Sequence, residues 1–559
     1  MFFSALYLLG VSTLGFCATY NSINDIPELD WDFIIVGEAG PTNEGATDSI
    51  VPWLEGNLAQ SRFDWNFTTV SQRGLNGRSI AYQRGHMLGG SSSVSSSSDF
   101  GRFARVTRDP GWSWNSLQPY IKRHEKFENP ADNHDTTGQF DLAVHGFTGN
   151  VAVTLPGFPH PAVDAATLRA SKELGGAFEF NLDMNSGTPL GLGWLQSTIG
   201  HNGTRSSATT SYLDNETRSR KNLHIVTDKR VARVLKTPGT KDMTIRTVEI
   251  RSSNSSKAVI LTASKEVILA AGTIGSPHIL LHSGIGDKND LEALGIPTVL
   301  HNPSVGRNLS DHPTFRVRFA WAPNSIDLGP WANVNSDLEL QARALELWKA
   351  NRTGPFIALL HGNHLAWMRL PDNSSIIDKF GDTSSGPNSA HIELVLGSVP
   401  DAFIVDLAML TPSSRGSVTT ESRNPFDDPL IDLGFYTSAF DLATMREAIE
   451  VATMFTRAPV WENVITGVLD PLANATTNTV VDGVIRNGTG TGLHSVGTAS
   501  MSPKDENWGV VDPDLLVKKV SGLRIVDASI MPYVPCAHTQ VPVYIIAERA
   551  ADIIRKSWA

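Results

Sequence analysis

The sequence predicts an α/β chain, α+β overall, built of two lobes, and three observations predict it. The run Trp31-Asp32-Phe33-Ile34-Ile35-Val36-Gly37 is apolar, β-branched and closed by glycine, as a buried parallel strand is. A second strand, turn and helix follow in order over residues 266–281. After a middle region of different character, the chain returns to strand and helix at its C-terminus. With 559 residues, it is long enough for two or three cores. Hydrophobic residues at 41%, 47 glycines and 31 prolines describe a loop-rich globular protein, not a coiled coil or a disordered chain. The formal charge of -11 is spread along the chain with no Lys/Arg run, which argues against nucleic acid as a partner.

Residues 1–18 form an uncharged apolar stretch ending in small residues, read as a signal peptide, with a buried N-terminal strand or a membrane anchor as the other readings. Nine Asn-x-Ser/Thr sequons, at Asn66, Asn202, Asn215, Asn254, Asn308, Asn351, Asn373, Asn474 and Asn487, agree with a secreted, extracellular protein carrying N-glycans. Removal of the leader takes Cys17 and leaves Cys536 alone, so no internal disulfide is expected. After Trp31–Gly37, a dinucleotide fold calls for Gly-x-Gly-x-x-Gly opening a helix, and the chain has that motif nowhere. Residues 38–45 are instead turn-rich and lack a helical period.

Further strands are expected at Leu223–Val226 and over residues 244–250 and 266–271. A helix over residues 276–281 has Ser276 as its cap and Pro277 at its first position. Residues 315–480, rich in Trp and Asn and containing a helix over 439–456, read as a second lobe. A strand over 522–527 and an amphipathic helix over 541–556 close the chain and pack back on the first lobe.

Three glycine-containing segments carry the chemistry. The first runs from Asn76 to Ser93 and ends Arg84-Gly85-His86-Met87-Leu88-Gly89-Gly90-Ser91-Ser92-Ser93. Its paired glycines let backbone approach a planar ligand, although a Gly/Ser surface loop has the same composition. The second is Gly272-Thr273-Ile274-Gly275-Ser276-Pro277 and its continuation to Gly286, and the third is Val305-Gly306-Arg307-Asn308-Leu309-Ser310-Asp311-His312. Together and in this order, over about residues 30 to 556, they resemble the signature segments of the glucose–methanol–choline (GMC) oxidoreductases. Within that family the nearest likeness is to aryl-alcohol oxidases.

The resemblance implies a truncated, Rossmann-like FAD-binding domain over residues 30–150, 200–314 and 485–559. It implies a substrate-binding domain, with an antiparallel sheet and helices, over 151–199 and 315–484. Two imidazoles flanking one hydroxyl suit alcohol oxidation, and the segments around His494 and His538 look like the family's active-site histidine segments. His494 is then the base and His538 its hydrogen-bonding partner. The implied reaction takes a primary aromatic or allylic alcohol to the aldehyde, with hydride passing to flavin and O2 reduced to H2O2; a sugar oxidase or dehydrogenase is the alternative. Gly37, Glu38, Arg84, Gly89, Gly90, Ser91, Ser92, Val231, Asp527, Ala528 and Thr539 are the implied cofactor-binding positions, Val231 through its backbone at the adenine. No metal is expected. With no histidine following Ser93-Val94 to form a covalent link, FAD is expected to be non-covalent.

Three joins depart from the family. Glu38 follows Gly37 directly where relatives insert a glycine-rich turn, a helix and a strand, so a crossover is missing as well as a phosphate site. The second join follows Ser93-Val94 and the third lies near Val399-Pro400-Asp401-Ala402. Each charge-assisted hydrogen bond lost from a phosphate cradle is worth about 1.5–3 kcal/mol. A flavin-free truncated member, arising as a splice or gene-model variant, is therefore the competing reading.

Overall fold

The computed structural model describes the chain apart from residues 1–5, 11–17, 23–24, 28–29, 39, 88–95, 252–257 and 359–361. Trp31–Gly37 runs parallel to the C-terminal half of the long strand Val259–Ala270, with Phe33 opposite Glu266 and Gly37 opposite Ala270. Ile34, Val36, Val267, Ile268 and Leu269 are all buried, as residues covered on both faces of a sheet must be. Leu523–Ile525 pairs in parallel on the other edge of the same strand. The N-terminal half of Val259–Ala270 belongs to an antiparallel meander with Ile245–Arg251 and Arg230–Lys236.

The remaining side of Trp31–Gly37 is taken by Leu6–Gly10, antiparallel, with Leu6 opposite Val36 and Leu9 opposite Phe33. Leu6–Gly10 pairs antiparallel with Leu223–Val226 on its other edge. Within the N-terminal apolar run, Leu6–Gly10 is a strand in the structure. The cause lies in the join at Glu38: without a crossover strand, Trp31–Gly37 and Leu223–Val226 each lack a neighbour, and buried backbone N–H and C=O groups need partners. The sheet is consequently mixed.

The helix expected over residues 276–281 begins earlier and spans Gly272–His282, so Ser276 is not its cap. Ser276 instead donates its hydroxyl to Asp527 Oδ2 at 2.6 Å. Pro277 is tolerated inside because the carbonyl its absent N–H would have engaged, that of Thr273, accepts the Thr498 hydroxyl at 2.6 Å. The C-terminal helix, Gln540–Ser557, buries Tyr544, Ile546, Ala550 and Ile554 against the first core and is tied to Arg123 through Glu548 at 2.7 Å.

The second sheet is antiparallel, ordered Ile465–Val468, Pro313–Trp321, Ala402–Met409, Ile392–Val399, His364–Met368 and Gly191–Trp194, with Gly490–Thr491 also on Pro313–Trp321. The helix Ala439–Phe455 covers it with Phe440, Met445, Ala448, Ala452 and Phe455. The third join is a two-residue hairpin turn, Pro400-Asp401, flanked by the pair Val399 and Ala402. The Asn308 amide is used internally, donating to Ser500 Oγ and the Pro532 carbonyl, both at 3.0 Å, so this sequon serves packing. Among the described residues, no helix is long and apolar enough to cross a membrane.

Candidate active site

The short pairing of Gly490–Thr491 with Pro313 and Thr314 brings the Asp311-His312 turn beside residues 491–494. Asp311 organises this junction. Its Oδ1 accepts the backbone N–H groups of His312 and His494, each at 2.7 Å. Its Oδ2 accepts the Tyr82 phenol at 2.6 Å and the Thr491 hydroxyl at 2.7 Å. Leu493 turns the chain into His494 with φ 58°, a left-handed conformation that costs a non-glycine residue about 1–2 kcal/mol. Its N–H on Thr491 Oγ1 at 2.9 Å and its carbonyl under Arg84 Nη2 at 2.5 Å hold that turn.

His494 and His538 come together with ring centroids 4.7 Å apart and planes 32° from parallel. His538 Nε2 lies 3.0 and 3.1 Å from the two oxygens of Glu393, which also accepts the Trp367 indole N–H at 2.8 Å. On the far side of His494, its Nδ1 is 3.0 Å from Nδ1 of His312, whose Nε2 is 3.1 Å from the Leu410 carbonyl. Burial holds His494 well below the ordinary histidine value, reinforced by His538, His312 and Arg84. Burial lowers His312 to about 4 against the pull of Asp311 and Glu393. For His538, burial is outweighed by the charge and hydrogen bonds of Glu393, which hold it above its ordinary value. Two adjacent imidazoles are therefore biased in opposite directions, His494 toward the free base and His538 toward the protonated form, an arrangement suited to acid–base chemistry on a hydroxyl.

A cleft of about 340 Å³ opens beside His538, walled by Trp194, Leu365 and Trp367 and edged by the amides of Asn185 and Gln196. A second cleft, about 520 Å³, lies at the C-terminal ends of Trp31–Gly37 and Val259–Ala270. It gathers Gly37, Glu38, Arg84 and Val231, so Glu38 reaches it despite following the strand directly. Burial, with Asp527 adding and Arg84 opposing, pushes the Glu38 carboxyl up to about 8. Asp527 accepts the Gly272 N–H at 3.0 Å, and a Cβ on Gly272 would stand 2.7 Å from Glu38 Oε1. Ala528 opens the short helix Ala528–Ile530, and Thr539 is the N-cap residue of Gln540–Ser557. Gly89, Gly90, Ser91 and Ser92 lie outside the described residues.

These residues suit part of a flavin dinucleotide. The second cleft offers a carboxyl for ribose hydroxyls, the Val231 strand for an adenine, and a buried Arg84 Nε with no hydrogen-bond partner. A diphosphate cradle of the glycine-turn kind is absent among the described residues. The first N–H of the nearest helix, Gly272–His282, is spent on Asp527.

Asp311, His312, Tyr82 and Glu393 escape sequence reasoning as site residues. The first three stand inside two of the three signature segments, and Glu393 is the one charged residue of the strand Ile392–Val399.

The chain is similar to known proteins over most of its length. Two family models described as GMC oxidoreductase match residues 12–314 and 412–547. Pyranose dehydrogenase 3 of Leucoagaricus meleagris is 37% identical, covering 99% of this chain and 98% of its own. That alignment runs over 612 positions against the 559 residues of the chain, so the relative carries stretches without counterpart here. An FAD-dependent oxidoreductase from Chaetomium thermophilum superposes with a TM-score of 0.82 at 26% identity, covering 93% of this chain and 94% of that one. A fungal aryl-alcohol oxidase shares the fold, with a TM-score of 0.81 at 23% identity over 95% of this chain and 94% of its own.

Proposed function

The chain belongs to the GMC oxidoreductase family, and on that premise we propose that it oxidises a CH–OH group of a pyranose sugar with non-covalently held FAD. The observation that carries the reading is the His494–His538 pair at 4.7 Å, with the Nε2 of His538 on the buried Glu393 carboxylate at 3.0 Å. His494 takes the hydroxyl proton. His538 donates a hydrogen bond to the same oxygen and steadies the alkoxide that forms, with Glu393 balancing its charge. Bound FAD would supply the two-electron acceptor for the hydride of the carbinol carbon, the substrate being released as a carbonyl compound. Gly37, Glu38, Arg84 and Val231 are the residues placed to hold its adenosine end.

The pyranose class is favoured by the relative named above and by a cleft lined by Trp194 and Trp367 together with the amides of Asn185 and Gln196, since sugars pack on aromatic rings and hydrogen-bond to amides. A primary aromatic or allylic alcohol is the second reading, favoured by the apolar Trp194, Leu365 and Trp367 wall. Secretion is part of the proposal, supported by the apolar N-terminal run and the sequons of the sequence.

The test is a visible spectrum of the purified, gel-filtered protein, followed by turnover of pyranoses and of aromatic alcohols with O2 or a quinone as acceptor. Flavin bands near one per chain and sugar turnover agree with the proposal. Turnover of aromatic alcohols alone moves it to the second reading, and a folded, colourless, inactive protein removes it.

A further inference from the structure

We infer that His312 is a positioning residue that locks His494 in its Nδ1–H tautomer, leaving Nε2 as the basic nitrogen. The inference rests on the reading of His494 as the base. It starts from a carbonyl, because the Leu410 oxygen only accepts, so the His312 nitrogen 3.1 Å away, Nε2, carries the hydrogen. His312 is fully buried and neutral, hence its Nδ1 has a lone pair and no proton. The nitrogen 3.0 Å from that lone pair, Nδ1 of His494, must then be a donor. Since His494 is neutral as well, its single N–H is accounted for there, and Nε2 is unprotonated.

Two features keep this relay in register. Asp311 Oδ1 anchors the backbone N–H of both histidines at the same length, 2.7 Å, so the two rings are referenced to one atom. Gly492 makes room for the contact, because a Cβ there would stand 2.9 Å from Nδ1 of His494 and 3.3 Å from Cβ of His312. Of the other groups acting on His494, Arg84 supplies no acceptor that would compete for the Nδ1 proton, and His538 has its Nε2 on the Glu393 carboxylate at 3.0 Å.

The experiment is nitrogen NMR on protein labelled with ring-15N histidine, with His494→Ala used to assign the His494 signals. The wild type is expected to show a protonated Nδ1 and a bare Nε2 at His494. In His312→Phe, which removes the acceptor, Nε2 gains proton occupancy and kcat/KM falls on the order of 10- to 100-fold. His312→Gln restores an acceptor for Nδ1–H and a donor for Leu410, and recovers both the tautomer and most of the activity. A wild-type His494 protonated at Nε2, or a tautomer unmoved in His312→Phe, overturns the inference. The expected tautomers in a protein with no turnover uphold it while removing the proposed reaction, because the NMR signals need no flavin.

Discussion

Glu393 meets His538 with both carboxylate oxygens, at 3.0 and 3.1 Å from one nitrogen, and the acid is almost wholly buried. A buried acid beside a histidine favours a proton on the ring, so Glu393 biases His538 toward its charged form.

Replacing Glu393 by Gln is expected to cost stability in a pH-dependent way. His538, held above its ordinary 6.5, contributes stability that is complete below that value and is lost as pH rises through the raised one. Glu393, held below its ordinary 4.5, contributes stability that is complete above that value and is lost as pH falls through the lowered one. The loss in Glu393→Gln is therefore greatest between those ordinary values, about 3 kcal/mol for a buried pair deprived of one partner. Urea unfolding from pH 4 to 9 reads it, and a loss that grows toward high pH would contradict the pairing.

His494→Ala is expected to lower kcat/KM by roughly 10²- to 10⁴-fold, the range for a missing general base. Flavin content should stay at the wild-type level, since His494 is absent from the walls of the cleft that gathers Glu38 and Val231. Retained turnover at neutral pH would assign the base elsewhere.

Gly272→Ala probes the crowding at the second cleft. The residue has φ +74°, a conformation costing alanine about 1–2 kcal/mol, and its new methyl would meet Glu38 Oε1. Expected are a lower Tm and weaker flavin retention on gel filtration. Unchanged values in both would show that Glu38 lies elsewhere.

Glu38 itself makes the flavin-free protein pH-sensitive. With its carboxyl raised from 4.5 to about 8, the folded state holds a proton that the unfolded state releases, so stability falls between those two pH values. The slope reaches about 1.4 kcal/mol per pH unit. Glu38→Gln should flatten it, as read from Tm across pH 4 to 9.

Asp311→Asn replaces one acceptor oxygen with a donor that faces N–H or O–H groups. A cost of about 2–3 kcal/mol is expected, since at least two of the four bonds fail in a buried setting. Activity should drop with it, because both His312 and His494 lose their common anchor.

The parts legible in the sequence are those whose signal is local. Trp31–Gly37 declares itself because a continuous β-branched run has few other uses, and Gln540–Ser557 because its apolar stripe has helical spacing. The start of Gly272–His282 stayed hidden because Gly272 and Pro277 both signal a break, and only the distant Thr498 hydroxyl removes the penalty. His494 and His538 stand out through their flanking segments. Glu393 and His312 could not, since what makes each of them matter is a partner 98 to 182 residues away along the chain.

Leu6–Gly10 makes the N-terminus a bonded part of the first sheet. A peptidase that trims an export leader would withdraw the strand between Trp31–Gly37 and Leu223–Val226, stripping both of a bonded neighbour at once. The vacated slot would offer two facing rows of backbone donors and acceptors, a template for any extended segment that reaches it, including another copy's N-terminus.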